Sequence, residues 1–401
     1  MEKHLARHIA TAQPLLEAYR PGEPFHLFLK KYFAQNKKHG SKDRKAITAI
    51  CYAYFRLGRN LLDMDFESRI KIALFVSSFQ TKIPEGYFDP TWASSANKTP
   101  EDKFSFLQTL YPQMQFELLF PFTAALSSDI QKDALERSIL HQPDLFVRIR
   151  PGHGPAILQT LKESGLAFKQ LDVNLLAFPS TTKLDQILPI DAKVVVQDVS
   201  SQGTGQLMQI VKATHTQNAG NPDGQLKVWD CCAASGGKSI LARDILGPVD
   251  LTVSDIRSSI LKNLRGRFAV AGLSTYKALQ LDLTTANSLP SKEKFDFIIC
   301  DVPCSGSGTW ARSPEHLLFF EQDSLHEFHQ LQSRILQQVI PFLAPGGFLL
   351  YLTCSVFEIE NEAVTQFIQA QGHLNLVRIQ TFKGYQQNGD SMFGALFSKA
   401  K

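Results

Sequence analysis

This chain of 401 residues has no long apolar run and no pair of cysteines at C-x-x-C spacing. No apolar stretch approaches the roughly eighteen residues that a membrane-spanning helix needs. The N-terminus, MEKHLARHIATAQPLLEAY, has no continuous apolar segment of the kind found in secretory signals. We therefore expect a cytoplasmic protein with no membrane partner. The composition, 44% hydrophobic and 20% charged, is that of an ordinary globular protein.

Cysteine is scarce, and its spacing excludes two common roles. No C-x-x-C pair occurs, and no histidine follows a cysteine at the spacing of a zinc finger. We therefore expect no metal, and a reducing cytosol disfavours a disulfide framework. Packing and catalysis remain as roles for the six cysteines, which are Cys51, Cys231, Cys232, Cys300, Cys304 and Cys354.

Acidic residues are few at the start of the chain. The net charge is only +4, but residues 1–60 contain twelve Lys/Arg and four Asp/Glu. A basic N-terminal segment followed by a nearly neutral remainder suits a nucleic-acid partner. Charge alone fits a solvated helical surface equally well, so both interpretations stay open here.

Residues 1–125 have the pattern of a helical domain. Within SKDRKAITAICYAYFRLGR, Ser41 is the predicted N-cap of a helix. The apolar stripe that follows predicts one buried helix face and consists of Ile47, Ile50, Cys51 and Tyr54. Residues 84–103 are rich in Pro, Ser, Asn and Gly and are predicted to form a loop between helices.

Residues 126–218 are predicted to form a small α+β domain. DLFVRIR at 144–150 is typical of a strand, PAILQTLKESG at 155–165 of a helix, and AFKQLDVNLLAF at 167–178 of further strand. The loop NAGNPDG at 218–224 marks the expected end of this unit.

Residues 219–401 alternate between strand and helix patterns. Continuous apolar strands joined by helices predict a doubly wound, mostly parallel α/β sheet of seven strands, whose ligands bind beyond the carboxyl ends of the strands. Asp230, Asp255, Asp282 and Asp301 each stand at or near such an end. The predicted strands cover residues 226–232, 250–255, 277–282, 295–302, 347–354, 374–379 and 393–399.

The first of these strands leads into a turn of small residues, DCCAASGGKS at 230–239, that precedes a helix. A phosphate-binding loop would need glycine where Cys232 stands, and the dinucleotide fingerprint G-x-G-x-x-G is absent. Of the three ligands that use such turns, adenosylmethionine remains. Gly236 and Gly237 would let the backbone approach it closely.

Two further acids are candidates for donor binding. Asp255, at the end of the next strand, is placed to accept hydrogen bonds from ribose hydroxyls, with the N-cap of the following helix as its alternative role. Asp282 could meet the adenine edge or cap a turn, and the two readings weigh equally.

A cysteine beside a methyl donor indicates a definite chemistry. C5 of cytosine is a poor nucleophile until a thiolate adds at C6, and this addition requires relief of charge on the ring. Asp301, three residues before Cys304, is the natural candidate for that contact.

Three segments in this order, DCCAASGGKS, DVPCSGSGTWARSPE and YLTCSVFEIENE, resemble the motifs of the Nop/Sun (RsmB-like) family of RNA cytosine-C5 methyltransferases. The resemblance covers about residues 126–401. It implies that Cys354 is the nucleophile and that Cys304 assists product release. It also implies that Lys238 helps to hold the donor and that Asp301 contacts the base. The implied donor site comprises Cys232, Ala233, Ala234, Ser235, Gly236, Gly237, Lys238, Asp255, Asp282 and Asp301.

The chain departs from the family pattern at three places. Ser235 stands where proline is usual before the two glycines, and Ile260 replaces a basic residue after the ribose acid. Val199 takes the place of an acid in VQDVSSQ. Because none of these positions carries a reacting group, we expect activity to survive.

The helical N-terminal domain is similar to the RNA-binding domain, related to the antitermination factor NusB, of bacterial ribosomal-RNA members of this family. The likeness favours 16S ribosomal RNA as substrate, with transfer RNA as the alternative. A non-catalytic RNA-binding assembly factor is the rival from another class. A monomer is expected, and the target base must leave its stack to reach a buried thiol.

Overall fold

The computed structural model describes residues 2–77, 86–218, 225–285, 293–371 and 374–401. The chain divides into two compact units. The first comprises Met1–Thr123, Gln131–Gln142 and Trp310–Gln322, and the second comprises Ala124–Ile130, Pro143–Thr309 and Asp323–Lys401. The finer division at 125/126 and 218/219 stays a prediction. Residues 84 and 85 of the first predicted loop and residues 219–224 of the second lie outside the described residues.

Fourteen α-helices occur among the described residues. They are α1 (Glu2–Ala18), α2 (Phe25–Gln35), α3 (Ser41–Arg56), α4 (Phe66–Val76), α5 (Pro100–Leu110), α6 (Lys132–Ser138), α7 (Gly154–Ser164), α8 (Val199–Gly203), α9 (Gly205–Asn218), α10 (Gly237–Leu246), α11 (Ser258–Ala271), α12 (His316–Phe319), α13 (Ser324–Val339) and α14 (Glu362–Ala370). None of them is long and apolar enough to cross a membrane.

Eleven strands occur in the same part of the chain. They are β1 (Leu145–Ile149), β2 (Lys169–Asp172), β3 (Leu175–Phe178), β4 (Val194–Val196), β5 (Leu226–Asp230), β6 (Val249–Asp255), β7 (Lys277–Gln280), β8 (Phe295–Asp301), β9 (Leu343–Thr353), β10 (Leu374–Lys383) and β11 (Ser391–Lys399).

The first unit is helical, and α3 shows why. Ile47, Ile50 and Cys51 are completely buried on one face, as the spacing predicts. The predicted N-cap is wrong, because Ser41 is the first helical residue and Gly40 precedes it as the cap. The backbone N–H of Gly40 donates to Asp43 Oδ2 (3.0 Å), which closes the first turn around the glycine.

The predicted loop at 84–103 is wrong in part. A 3₁₀ helix covers Pro90–Ser95, and α5 begins at Pro100. Both starts are capped by side chains, since Asp89 accepts a hydrogen bond from Thr91 N and Thr99 accepts one from Asp102 N. Proline in the first turn suits a helix start as well as a loop, and composition alone does not separate the two.

A segment that follows β8 in sequence also belongs to the first unit. Trp310 is completely buried, and its ring lies 5.5 Å from that of Phe120, 5.0 Å from that of Phe122 and 4.7 Å from that of Phe320. Glu315 is buried as well and accepts a hydrogen bond from the backbone N–H of Phe25 (3.1 Å).

The second unit contains two sheets. The smaller is antiparallel with the order β2-β3-β1-β4. The strand predicted at 144–150 and the helix predicted at 155–165 are confirmed as β1 and α7, and residues 167–178 form the β2–β3 hairpin. Ile157 and Leu161 of α7 pack in an apolar cluster with strand residues such as Val147 and Leu176.

The larger sheet has seven strands in the order β10-β11-β9-β8-β5-β6-β7. Pairs β9–β8, β8–β5, β5–β6 and β6–β7 are parallel, and β11 is antiparallel to both neighbours. One apolar cluster includes residues of α9, α10 and α11, and another includes residues of α13 and α14. The predicted doubly wound, mostly parallel sheet is therefore confirmed.

A buried ion pair connects the small sheet to α10. Arg148 Nη1 of β1 donates to Asp244 Oδ2 (2.7 Å), and Arg150 Nη2 donates to Asp244 Oδ1 (2.9 Å). The side chains of Arg148 and Asp244 are only 8% and 7% exposed. Burial lowers the pKa of Arg148, and the neighbouring Asp244 carboxylate opposes this effect.

Replacing Asp244 by asparagine should strongly destabilise the second unit. The two arginines would keep their buried positions but lose their anion, and breaking a buried pair in this way costs about 3–5 kcal/mol. Urea denaturation of Asp244→Asn gives the free energy of unfolding, with the exposed Asp185→Asn as control. Equal stability of the two variants would mean that the pair contributes nothing.

Candidate active site

The carboxyl ends of the parallel strands carry the predicted acids. Asp230, Asp255 and Asp301 are the last residues of β5, β6 and β8, and Asp282 follows two residues after the end of β7. Because these strands run in parallel, their ends lie at one edge of the sheet. The sequence-based placement of the four acids is confirmed.

The turn between β5 and α10 is shaped by Gly236, which stands at the N-cap with a φ of 84°. A Cβ there would lie 2.4 Å from Phe268 Cε1, so no side chain fits. A Cβ at Gly237 would meet no heavy atom within 4 Å, which shows open space above the turn. The turn leaves room for a ligand and exposes the first N–H groups of α10 to it.

Asp255 closes the other side of this turn. Its Oδ2 accepts a hydrogen bond from the backbone N–H of Ala234 (3.0 Å), and its Oδ1 accepts one from Arg257 N (2.9 Å). Burial would raise the pKa of Asp255, but the bonds from Arg257 and Ala234 outweigh it and hold the pKa below its usual value. Arg257, rather than Asp255, stands at the N-cap of α11.

Asp282 and Ser235 have local partners. Asp282 Oδ1 accepts hydrogen bonds from the backbone N–H (2.9 Å) and the hydroxyl (2.6 Å) of Thr284, so this acid caps a turn. These bonds lower the pKa of Asp282. Arg267 Nη1 donates to both Ser235 O (3.1 Å) and Ser235 Oγ (3.0 Å). Ser235, which replaces proline in the turn, is therefore held in place by Arg267.

Lys238 and Asp301 form an ion pair beside the turn. Lys238 is only 7% exposed, and its Nζ donates to Asp301 Oδ2 (3.1 Å). The same ammonium donates to Ser201 Oγ (2.8 Å) and lies 3.6 Å from Met392 Sδ. The pair fixes the Asp301 carboxylate, which stays 28% exposed on the side chain. Sequence reasoning missed Ser201, although it lies in the VQDVSSQ segment that attracted notice.

The two motif cysteines lie in contact. Cys304 Sγ and Cys354 Sγ are 3.3 Å apart, and both residues are half-buried. Cys354 directly follows β9, and Cys304 lies three residues after the end of the neighbouring β8. The hydrogen bond with Cys354, followed by burial, raises the pKa of Cys304 well above its usual value. Cys231 and Cys300 are buried in an apolar cluster of the larger sheet.

Hydrogen bonds from backbone N–H groups connect the two loops that carry these cysteines. The N–H of Gly308 donates to Cys354 O (2.8 Å), and the N–H of Val356 donates to Ser307 Oγ (2.9 Å). A Cβ at Gly308 would lie 2.3 Å from Ser391 O and 3.0 Å from Cys354 O. Only glycine permits this close approach of the two loops.

A buried carboxylate also contacts both loops, and sequence reasoning gave it no role. Glu360 is completely buried, and its Oε1 accepts hydrogen bonds from Ser305 N (2.8 Å) and Gln332 Nε2 (3.1 Å). Its Oε2 accepts bonds from the hydroxyls of Ser305 and Ser355. The E-N-E triplet was part of the family resemblance, and this was the only sign of Glu360 available from sequence.

The residues around the turn fit adenosylmethionine. The open space at Gly237 and the free N–H groups of α10 suit the close approach of a ligand. Asp255 offers a buried carboxylate whose exposed partner, the Arg257 side chain (59% exposed), can give way to ribose hydroxyls. Among the described residues, no cluster of three or more His, Cys, Asp or Glu side chains could hold a metal.

Strand order, the antiparallel β11 and the site at the strand ends together define a class I methyltransferase fold. Residues 217–396 match the family model described as 16S rRNA methyltransferase RsmB/F. The match covers less than half of the chain, and over these residues the chain is similar to the adenosylmethionine-dependent methyltransferases of the RsmB/F family. The resemblance to Nop/Sun enzymes stated from sequence motifs is confirmed.

Curated relatives are similar to this chain over part of their length. The chain is 27% identical over 257 residues to ribosomal RNA small subunit methyltransferase B of Enterobacter sp. (strain 638), a match that covers 61% of this chain and 55% of the relative. It is 28% identical over 273 residues to the enzyme of that name from Serratia proteamaculans, covering 64% and 60%. The chain thus spans less than two thirds of the length of these relatives.

Solved structures support the fold. PH0851 aligns over 99% of this chain and 98% of its own, with a TM-score of 0.67 and 18% identity. NSun6 from Pyrococcus horikoshii, solved with SFG, aligns over 67% of this chain and 94% of its own, with a TM-score of 0.56 and 15% identity. At these identities the likeness concerns the fold alone.

Asp230 should make stability depend on pH. It is completely buried, and burial raises its pKa to about 7, against the opposing hydrogen bond from Ser239. Because the pKa in the folded state exceeds the usual 3.8, the linked stability is complete below that pH and is lost as the pH rises through about 7. The whole effect amounts to about 4 kcal/mol at most.

Asp230→Asn cannot titrate, so its melting temperature relative to the unaltered protein should rise between about pH 5 and about pH 8. Thermal melts across this range measure the difference. Asp282→Asn, which removes a carboxylate whose pKa is lowered, serves as control and should not show the same trend. A difference that is constant with pH would contradict the raised pKa.

Proposed function

We propose that the protein transfers a methyl group from adenosylmethionine to C5 of a cytosine in RNA, with 16S ribosomal RNA as the substrate. The contact between Cys304 Sγ and Cys354 Sγ, beside the Lys238–Asp301 pair, carries the proposal. The match of residues 217–396 to the RsmB/F family model supports the RNA substrate. The cytoplasm is the proposed place of action, and a monomer the proposed form.

Cys354 is the proposed nucleophile. Its thiolate would add to C6 of the flipped cytosine, forming a carbon–sulfur bond and moving an electron pair towards C5, where a methyl group can be accepted. Bound adenosylmethionine supplies that methyl group from its sulfonium. Solvent water would then take the C5 proton, the C5–H electron pair would restore the C5–C6 double bond, and the bond between C6 and Sγ would break to release the Cys354 thiolate.

Asp301 and Lys238 would act on the base during this addition. The Asp301 carboxyl group, held by Lys238 Nζ (3.1 Å), stands at the edge where the cytosine would enter. Charge that develops on the ring during addition requires a nearby hydrogen-bond partner. Lys238 would also keep the carboxylate turned towards the substrate, because its ammonium is anchored on Ser201 Oγ.

Cys304 is the proposed residue for product release. Its raised pKa means that it carries its proton near neutral pH, whereas attack requires a thiolate. The resemblance of the sequence motifs, rather than this pKa, assigns the attack to Cys354 and product release to Cys304. The thiol contact places both groups close enough to reach one pyrimidine ring.

The proposed donor site is the turn and rim that sequence motifs indicated. Asp255 would bind ribose hydroxyls and Asp282 would lie near the adenine, although it also caps a turn. The remaining groups are the backbone and small side chains of Cys232, Ala233, Ala234, Ser235, Gly236 and Gly237, with Lys238 and Asp301 at the reacting end.

The first unit offers a basic surface for RNA. Of the twelve Lys and Arg residues among 1–60, Arg56 is buried and donates to the carbonyl oxygens of Ile139 and His141. Arg44 is half-buried. The other ten are exposed: Lys3, Arg7, Arg20, Lys30, Lys31, Lys37, Lys38, Lys42, Lys45 and Arg59. Exposed charges of this number suit phosphate contacts.

Transfer of labelled methyl from adenosylmethionine to unmodified 16S ribosomal RNA tests the function. We expect label in C5 of cytosine with the unaltered enzyme, and a loss of label in Cys354→Ala. Cys304→Ala should accumulate a covalent protein–RNA adduct that survives denaturing gels, because release is blocked. Cys51→Ala removes a buried thiol of the first unit and should retain transfer.

Other outcomes of this assay identify the alternatives. Label in transfer RNA alone would change the substrate, and donor binding without transfer to any RNA would favour an assembly factor. An adduct in Cys354→Ala rather than Cys304→Ala would reverse the two cysteine roles.

RNA affinity should fall steeply with salt. Each lysine that contacts a phosphate contributes a slope of about −0.9 in log affinity against log salt for duplex and about −0.7 for single strands. Lys37→Ala, Lys38→Ala and Lys42→Ala, measured singly by filter binding, should each flatten the slope. Lys98→Ala, an exposed lysine outside α1–α3, is the control. Unchanged slopes in all three variants would exclude this surface as the RNA contact.

A further inference from the structure

Glu360 lies where the two cysteine loops meet. Each motif cysteine is followed directly by a serine, Ser305 after Cys304 and Ser355 after Cys354. The hydroxyls of both serines donate to the same oxygen, Glu360 Oε2. One carboxylate therefore contacts the residue next to each thiol.

The other oxygen of this carboxylate reinforces the link. Glu360 Oε1 accepts the backbone N–H of Ser305 (2.8 Å) and the amide of Gln332 (3.1 Å). Gln332, on α13, also donates to Pro303 O (3.1 Å), the residue before Cys304. The loop around Cys304 is thus held on both sides of the cysteine.

The backbone of Glu360 is fixed as well. Its carbonyl oxygen accepts a hydrogen bond from the Tyr351 hydroxyl (2.6 Å), and Tyr351 is a completely buried residue of β9. The next residue, Asn361, donates from Nδ2 to Ser355 O (2.9 Å) and to Ser127 Oγ (2.7 Å). These hydrogen bonds fix the backbone that carries the carboxylate to strand β9 of the larger sheet.

The chemical type of the side chain matters here. An ionised carboxylate only accepts hydrogen bonds and can satisfy four donors, whereas an amide presents donors on one of its two ends. Among the described residues, no lysine, arginine or histidine forms an ion pair with Glu360. Burying a charged carboxylate without a cation costs free energy. The four hydrogen bonds that Glu360 accepts offset this cost.

We propose that Glu360 is a positioning residue, which sets the distance and orientation of the Cys354 and Cys304 thiols by holding the serine next to each. The inference rests on the proposed function, because the thiols act together only in that reaction. Glu360 itself does not touch the substrate. It acts through Ser305 and Ser355, on two loops that come from separate parts of the chain.

The negative charge has a second effect. It contributes, after the Cys354 hydrogen bond, burial and the charge of Cys354, to the raised pKa of Cys304. Burial, followed by the charges of Cys304 and Glu360, also raises the pKa of Tyr351 well above its usual value.

Three variants test the proposal. Glu360→Gln keeps the shape and loses acceptor capacity, and Glu360→Ala removes every contact of the carboxylate. Glu358→Gln, two residues earlier and exposed, is the matched control. For each variant we would measure hydrogen exchange of the two loops, affinity for adenosylmethionine, and kcat and KM for methyl transfer to RNA.

We expect both Glu360 variants to exchange faster in residues 303–308 and in residues 354–357, while donor affinity stays within about twofold. In Glu360→Gln, kcat should fall by about tenfold to a hundredfold with little change in KM, since a misplacement of about 1 Å costs this much. Glu358→Gln should match the unaltered protein in every measurement.

Two results would overturn the inference. Faster exchange at 354–357 alone would show that the carboxylate does not join the loops, and looser loops with unchanged kcat would make Glu360 a purely structural residue. If the unaltered enzyme methylates no RNA cytosine, the proposed function fails. The exchange measurement still decides in that case whether Glu360 holds both loops, so the two failures are distinguishable.

Discussion

The direction of four neighbouring strands governs everything at the site. Strands β5, β6, β8 and β9 are parallel, so the loop after each of them leaves the sheet at the same edge. Groups far apart in sequence, such as Lys238 and Asp301 or Cys304 and Cys354, meet there without any special local structure. Had one of these strands run the other way, its motif would lie at the opposite edge.

The chemistry begins where the apolar core ends. Residues within β8 and β9, such as Ile299 and Leu350, are completely buried in apolar surroundings. Immediately beyond them, buried polar groups bond to one another, as in the contacts of Glu360. Such a layer is rigid because each donor has few alternative partners, and rigidity is what a reaction between several fixed groups requires.

Sequence patterns could predict the sheet because its central strands, such as β8 and β9, are buried along most of their length and contain long apolar runs. The acids at strand ends could be predicted for the same reason, since each run ends abruptly at a charge. The start of α3 was misplaced because Gly40 and Ser41 are both plausible caps, and the deciding contact comes from Asp43. Ser201 and Glu360 could not be assigned roles, because their partners lie in distant parts of the chain and only folding brings them together.

The segment Trp310–Gln322 makes the first unit discontinuous in sequence. Its Trp310 ring completes an aromatic cluster with Phe120 and Phe122. A fragment that stopped at Thr123 would therefore lack part of its own core and expose these phenylalanines to solvent. Recombination between homologous genes at the apparent boundary near residue 125 faces the same obstacle. The helical part can be exchanged only together with Gln131–Gln142 and the short segment that follows the Cys304 loop, so the three stretches must change together.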